Sequence, residues 1–194
     1  LRPVSHPHAA TGGLKMLSGS LGRAVMKISA VAPERHKITA PAAMFENEAD
    51  VKAAFEAEAL NRDVIVVVRG QGPAATGMPE LHSLTPVLTI LQDKGYQVAL
   101  MTDGRMSGAS GKVPSAIHVT PEAALGGPIA RLRDGDMVTI DAISGEMTTD
   151  APLDTREAIT DYPAMRATGF GRGLFASYRQ NVCSAEEGAG LKLL

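Results

Sequence analysis

Asp63-Val64-Ile65-Val66-Val67-Val68-Arg69-Gly70 is an unbroken β-branched run closed by a glycine. Its apolar residues fall at consecutive positions rather than at every second one, so both faces of the strand it forms must be covered. Downstream, residues 84–94 read as a helix: Thr85 can cap it, Pro86 suits the first helical position and Gly95 suits the residue past its end. Residues 96–102, Tyr-Gln-Val-Ala-Leu-Met-Thr, follow as a second buried strand. The order strand, loop, helix, strand is a parallel crossover unit, right-handed by the usual rule. Loops that leave the carboxyl ends of such strands are where α/β proteins commonly carry function.

Upstream of this unit, residues 12–22 are rich in glycine and small side chains, and residues 24–31 form a short apolar run with strand character. Asn47 followed by Glu48 and Asp50 has the chemistry of a helix start, with Val51 and Phe55 on one face and an end near Leu60. Downstream, Ile117-His118-Val119-Thr120 is strand-like, and Pro121-Glu122-Ala123-Ala124 can open a helical turn. Asp134-Gly135-Asp136 and Ser144-Gly145 bracket residues 137–143 as one arm of a hairpin, with residues 146–149 as the other. Helical patches lie at 155–159 and 174–180, interrupted by Gly169, Gly171 and Gly173. Residues 1–11, punctuated by Pro3 and Pro7, read as an interdomain linker, residues 12–150 as one domain, and residues 151–194 as a helical tail on that domain.

The chain has 194 residues, 44% hydrophobic and 21% charged, which suits one domain with a core. The formal net charge is -2 and the basic residues are scattered, which argues against nucleic acid as a partner. No apolar run is long enough to cross a bilayer as a helix, and the first residues lack the order of a secretory leader, so the expected setting is cytoplasmic with no membrane partner. Cys183 is the only cysteine, so it can neither close an internal disulfide nor by itself hold an iron-sulfur cluster.

Chemistry is concentrated in two loops. Thr102-Asp103-Gly104-Arg105-Met106-Ser107-Gly108-Ala109-Ser110-Gly111-Lys112 leaves a buried strand carrying three glycines, two serines and two cations, a composition that can bring backbone donors to an anion. It is not a phosphate-cradling P-loop, because Val113 and Met106 stand where Ser or Thr and glycine are required. Nor is it a hydrolase elbow, since Arg105 and Ala109 replace both glycines of that motif. The other loop, residues 70–82, carries Gly77-Met78-Pro79-Glu80-Leu81-His82 and holds Glu80 near the head of a helix. There a carboxylate either complements the helix dipole or ligates a metal. His118, inside an apolar stretch, reads first as a packed or hydrogen-bonded histidine.

Together these segments resemble the carboxy-terminal part of the dihydroxy-acid and 6-phosphogluconate dehydratase family. The resemblance rests on Leu100-Met101-Thr102-Asp103-Gly104-Arg105-Met106-Ser107-Gly108-Ala109-Ser110, on His118-Val119-Thr120-Pro121-Glu122-Ala123, on Gly126-Gly127-Pro128 and on Asp134-Gly135-Asp136. Gly77-Met78-Pro79-Glu80 fits the same pattern, and Gly19-Ser20-Leu21-Gly22-Arg23-Ala24 does so more loosely. Ala109-Ser110-Gly111-Lys112-Val113-Pro114 and Glu80-Leu81-His82-Ser83-Leu84-Thr85-Pro86 are similar to the 6-phosphogluconate branch.

The resemblance implies an α/β fold, a swivelling β/β/α domain with a mixed sheet or barrel and flanking helices. It implies a hydro-lyase that dehydrates 6-phospho-D-gluconate to 2-dehydro-3-deoxy-6-phospho-D-gluconate in the Entner-Doudoroff route. The implied cofactor is a 4Fe-4S cluster, with its ligands in an amino-terminal domain of the same enzyme, as the single cysteine requires. In that scheme Ser107 is the base that removes the proton on carbon 2, held as an alkoxide by a nearby cation or metal. Glu80 corresponds to a magnesium ligand of two-iron relatives. Arg105, Ser110 and Lys112 are expected to hold the small-molecule substrate, whose two anionic groups need positive partners. A homodimer is expected of the full-length enzyme, and this part alone is expected to be inactive. The competing readings are a dehydratase of another sugar acid or of branched-chain dihydroxy acids, and a non-catalytic anion-binding or assembly module.

Overall fold

In a computed structural model of the chain, residues 2–9, 11–106, 111–166 and 168–192 are described. The strands among them are β1 Leu14–Gly19, β2 Gly22–Lys27, β3 Lys37–Phe45, β4 Val64–Val68, β5 Val98–Thr102, β6 Ser115–Thr120, β7 Met137–Asp141 and β8 Glu146–Thr149. They close into a barrel in the order β1-β2-β6-β5-β4-β3-β7-β8. β3, β4, β5 and β6 run parallel, and the seam is completed by antiparallel β2–β6, β1–β2, β3–β7 and β7–β8 pairs and one short parallel contact between Ser18 and Glu146. The fold is the α/β class expected, a mixed barrel with flanking helices.

The β-branched run Val64–Val68 is β4, and every residue in it is buried. Its side chains divide between two cores. Ile65 and Val67 point into the barrel with Ala99, Met101, Met26, Ile140 and Met147, while Val64, Val66 and Val68 face an outer layer with Val98 and Leu100. That outer layer is roofed by α1 Glu48–Glu56 and α3 Leu84–Asp93. α3 contributes Leu84, Leu88 and Leu91, the spacing of one helical face, each fully buried and worth about 1.5–3 kcal/mol.

α1 starts where Asn47 predicts, its side-chain oxygen accepting the Asp50 amide at 2.9 Å. α3 starts two residues earlier than a Thr85 cap would allow: Ser83 takes the capping position, and Thr85 Oγ1 instead donates to Met106 Sδ at 3.5 Å. The strand expected at 24–31 is β2, shifted toward its amino end and paired with β1, which occupies the glycine-rich stretch. The short helices α2 Pro73–Thr76, α4 Pro163–Arg166, α5 Phe170–Leu174 and α6 Ala176–Gln180 complete the α-helices among the described residues. No helix forms over 156–159, where Ile159 N–H instead bonds the Ala130 carbonyl at 3.0 Å and Tyr162 enters the barrel core.

Candidate active site

The parallel strands release their loops at one end of the barrel, and Asp103 fastens three of them together. It follows β5 directly, is fully buried, and accepts the Gly70 amide (3.1 Å) and the Ala123 amide (2.9 Å) on Oδ2 and the Gln71 amide (2.9 Å) on Oδ1. Burial raises its pKa, against the opposing pull of those backbone donors. Glu122 does related work from the loop after β6: its carboxylate accepts the Ala74 and Ala75 amides at 2.9 and 3.1 Å, closing the amino end of α2. Burial also raises the Glu122 pKa, and the charge of Asp103 adds to that rise.

Two glycines make this closeness possible. Gly70 has φ +72, and a Cβ there would lie 2.5 Å from the Tyr162 ring; at Gly72 it would lie 2.2 Å from Glu122 Oε2. Neither Asp103 nor Glu122 has a role that the sequence motifs assign. The one sequence signal for Asp103 is a carboxylate placed directly after a buried strand, where only hydrogen-bonded acids persist.

Arg105 joins the two candidate loops. Its Nε donates to the Met78 carbonyl at 2.8 Å, its Nη1 to Glu80 Oε2 at 2.7 Å, and its own carbonyl accepts the Leu81 amide at 3.1 Å. The Arg105 side chain is 51% exposed and that of Glu80 26%, so the pair borders open space. Glu80 is thus held by Arg105 rather than by the head of α3. Its second oxygen, Oε1, is buried with no hydrogen-bond partner among the described residues. A carboxylate oxygen in that state suits a hard cation such as magnesium.

The other expected residues separate. Ser107 and Ser110 lie outside the described residues. Lys112 is exposed at the far end of the same loop, and His82 is exposed as well. Gly111 packs beside β2, where an added Cβ would be 2.7 Å from Ala30 Cβ and 3.7 Å from Lys27 Nζ. His118 is half-buried and adopts φ +58, and its amide bonds the Gly104 carbonyl at 3.0 Å. Burial, then the charge of Arg105, lowers its pKa, so the neutral imidazole is favoured.

Among the described residues no group of three or more His, Cys, Asp and Glu side chains converges on a metal. Cys183 is half-buried in the tail, and no described residue joins it as a cluster ligand, so this chain does not fit an iron-sulfur cluster of its own. Nor is any helix of the described residues long and apolar enough to cross a membrane.

A family model described as dihydroxy-acid/6-phosphogluconate dehydratase C-terminal matches residues 1–189. The chain is 56% identical over 192 residues to a phosphogluconate dehydratase of Pseudomonas aeruginosa, covering 97% of this chain and 31% of that protein. It is 55% identical over 192 residues to the phosphogluconate dehydratase of Escherichia coli, with the same coverage. It is 40% identical over 194 residues to a dihydroxy-acid dehydratase of Sulfurisphaera tokodaii, covering 98% of this chain and 34% of that protein. The chain therefore spans about a third of the length of the curated relatives it matches.

Proposed function

The chain belongs to the dihydroxy-acid/6-phosphogluconate dehydratase family as its C-terminal domain, and from that membership we propose that it is part of a hydro-lyase converting 6-phospho-D-gluconate to 2-dehydro-3-deoxy-6-phospho-D-gluconate, the dehydration step of the Entner-Doudoroff route. The observation that carries the choice of substrate is the 55–56% identity to phosphogluconate dehydratases, against 40% to a dihydroxy-acid dehydratase. The geometry agrees in kind, because Arg105 and Glu80 sit together on an open rim at the loop end of the barrel.

In this reading the proton on carbon 2 passes to Ser107 Oγ, the carbon 2–carbon 3 double bond forms, and hydroxide leaves carbon 3. The enol then takes a proton on carbon 3 and becomes the 2-keto product, so substrate equals product plus water. A serine hydroxyl is far too weak an acid to be ionised unaided, and in this reading Arg105, two positions away in the sequence, supplies the cation that stabilises the alkoxide. Arg105, Ser110 and Lys112 orient the substrate by charge and hydrogen bonding to its anionic end. Asp103 holds no reacting atom; it keeps the loops after β4, β5 and β6 in one arrangement, so that the Arg105–Glu80 pair is preorganised.

The cofactor of this reading is a 4Fe-4S cluster whose cysteines lie elsewhere in the enzyme, since the described residues cannot bind one. Glu80 Oε1 is the atom offered to a magnesium ion. The partners are the remaining portion of the same enzyme and a second copy of it, in the cytoplasm. Residues 1–11 serve as linker, residues 12–150 as the swivelling domain, and residues 151–194 as a tail on that domain.

Turnover of the full-length enzyme tests the proposal. Dehydration of 6-phosphogluconate with little activity on 2,3-dihydroxy-isovalerate is expected, and the reverse preference would overturn the choice of branch.

A further inference from the structure

β6 carries an irregularity that none of the functions above uses. Arg23 pairs with Thr120 and Val25 with Ile117, so β6 has one residue more than β2 across this stretch, a β-bulge. Bulge residues in the left-handed region are ordinarily glycine, yet here the residue at φ +58 is His118. A histidine held in a conformation that disfavours side chains is the kind of local strain that marks a functional position. At the bulge, His118 lines a pocket of about 250 Å³ together with Met16, Arg23, Ala24, Val25 and the tail residues Ala185 and Glu186.

Within that pocket a carboxylate already sits on the cation: Glu186 Oε1 is 2.9 Å from Arg23 Nε, with the two side chains 61% (Arg23) and 32% (Glu186) exposed. Glu186 rides on a self-closed loop. Val182 bridges Leu191, the Cys183 amide bonds the Gly190 carbonyl at 2.8 Å, the Lys192 amide bonds the Asn181 carbonyl at 2.8 Å, and a Ser184–Glu187 capping box fixes the turn between them. The hydrogen bonds that shape this loop are its own and do not depend on the barrel.

We infer that Arg23 and His118 form an anion subsite, which the carboxylate of Glu186 fills in this structure, and that a phosphate monoester is its ligand. This deepens the function proposed above and rests on it for the identity of that ligand, the 6-phosphate of the sugar acid. A phosphate dianion brings more charge and more acceptor oxygens than one tethered carboxylate, so it displaces Glu186 from Arg23. The neutral imidazole supplies a hydrogen bond at the pocket wall. The subsite joins the rim described above through the His118 amide and the Gly104 carbonyl, one residue from Arg105. Arg105 and Lys112 are thereby left for the carboxylate at the other end of the substrate.

The test uses the full-length enzyme, with 6-phosphogluconate as substrate and inorganic phosphate as a competing anion. Arg23→Gln is expected to lower kcat/KM and to raise the phosphate inhibition constant, each by about tenfold, the effect of losing one charge-assisted hydrogen bond. Glu186→Gln is expected to strengthen phosphate inhibition by about two- to fivefold, since the resident competitor loses its charge. His118→Gly separates function from folding: removing the strained side chain leaves Tm unchanged or raises it, while kcat/KM falls. An unchanged phosphate inhibition constant in Arg23→Gln overturns the subsite even if the wild type dehydrates 6-phosphogluconate. Should the wild type fail to dehydrate 6-phosphogluconate, the function is wrong, and calorimetric titration of inorganic phosphate decides the subsite alone. Binding weakened about tenfold by Arg23→Gln sustains it; no binding, or binding indifferent to Arg23, overturns it.

Discussion

Replacing Asp103 with asparagine keeps the size of the side chain and removes one of two equivalent acceptors. In the wild type, Oδ2 serves the Gly70 and Ala123 amides and Oδ1 the Gln71 amide, all at 2.9–3.1 Å inside a fully buried site. Asparagine has one acceptor oxygen, so whichever way it turns, its NH2 group faces at least one backbone N–H. If the oxygen keeps Gly70 and Ala123, the Gln71 amide and the new NH2 are both left unsatisfied. A buried donor without a partner costs about 1–3 kcal/mol, and relief from burying a charge offsets part of this, leaving a loss of about 3 kcal/mol. For a chain of this length that corresponds to a fall in Tm of about 6–12 °C. Thermal unfolding followed by circular dichroism reads it, and amide hydrogen exchange should show faster opening at Gly70, Gln71 and Ala123. A fall in Tm of less than about 2 °C would show that the loops hold together without this carboxylate and would refute its role as their fastener.

Three further outcomes follow from the same geometry. Gly72→Ala keeps an ordinary backbone conformation but drives a methyl group to 2.2 Å from Glu122 Oε2, so it should expel that carboxylate from α2 and cost about 2–3 kcal/mol by urea unfolding; a neutral result would show that the carboxylate is dispensable there. Burial alone would raise the Asp136 pKa, but the Arg156 fork at 2.5 and 2.9 Å, with the Arg133 amide, holds it below the usual range. The stability it contributes is therefore present above the unfolded value of about 3.9 and is lost as pH falls through the lower folded value, so Arg156→Met should move acid unfolding to higher pH, whereas an unchanged acid midpoint would count against it. In the full-length enzyme, Glu80→Gln should abolish any dependence of activity on added magnesium, because the oxygen offered to the ion loses its charge; retained dependence would place the ion elsewhere.

The central β4, α3 and β5 unit was legible because its residues declare themselves locally: Val64–Val68 is apolar at every position, and Pro86 and Gly95 punctuate the helix. The strands that close the barrel were not. β1, Leu-Lys-Met-Leu-Ser-Gly, buries only Leu17, and β3 buries Ile38, Ala40, Ala42 and Ala43, where the consecutive small side chains and Pro41 blur the alternation. Their pairing with β8 and β7 joins segments about a hundred residues apart, which no local pattern reports. In the site, the glycine-rich loop and Glu80 were visible as composition. The Arg105–Glu80 pair was not, since it depends on two loops meeting beyond adjacent parallel strands. The work of Asp103 was hidden for a related reason, its partners being backbone amides that no sequence singles out. The tail misled in two places: no helix forms over 156–159, and the glycines at 169, 171 and 173 read as breakers although residues 170–174 form a helical turn.

Ser107→Ala in the complete enzyme bears most directly on the proposal that the loop after β5 supplies the base. With the iron-sulfur absorbance and thermal stability retained, turnover of 6-phosphogluconate should be abolished. Turnover close to that of the wild type, with the cluster equally loaded, would contradict the account.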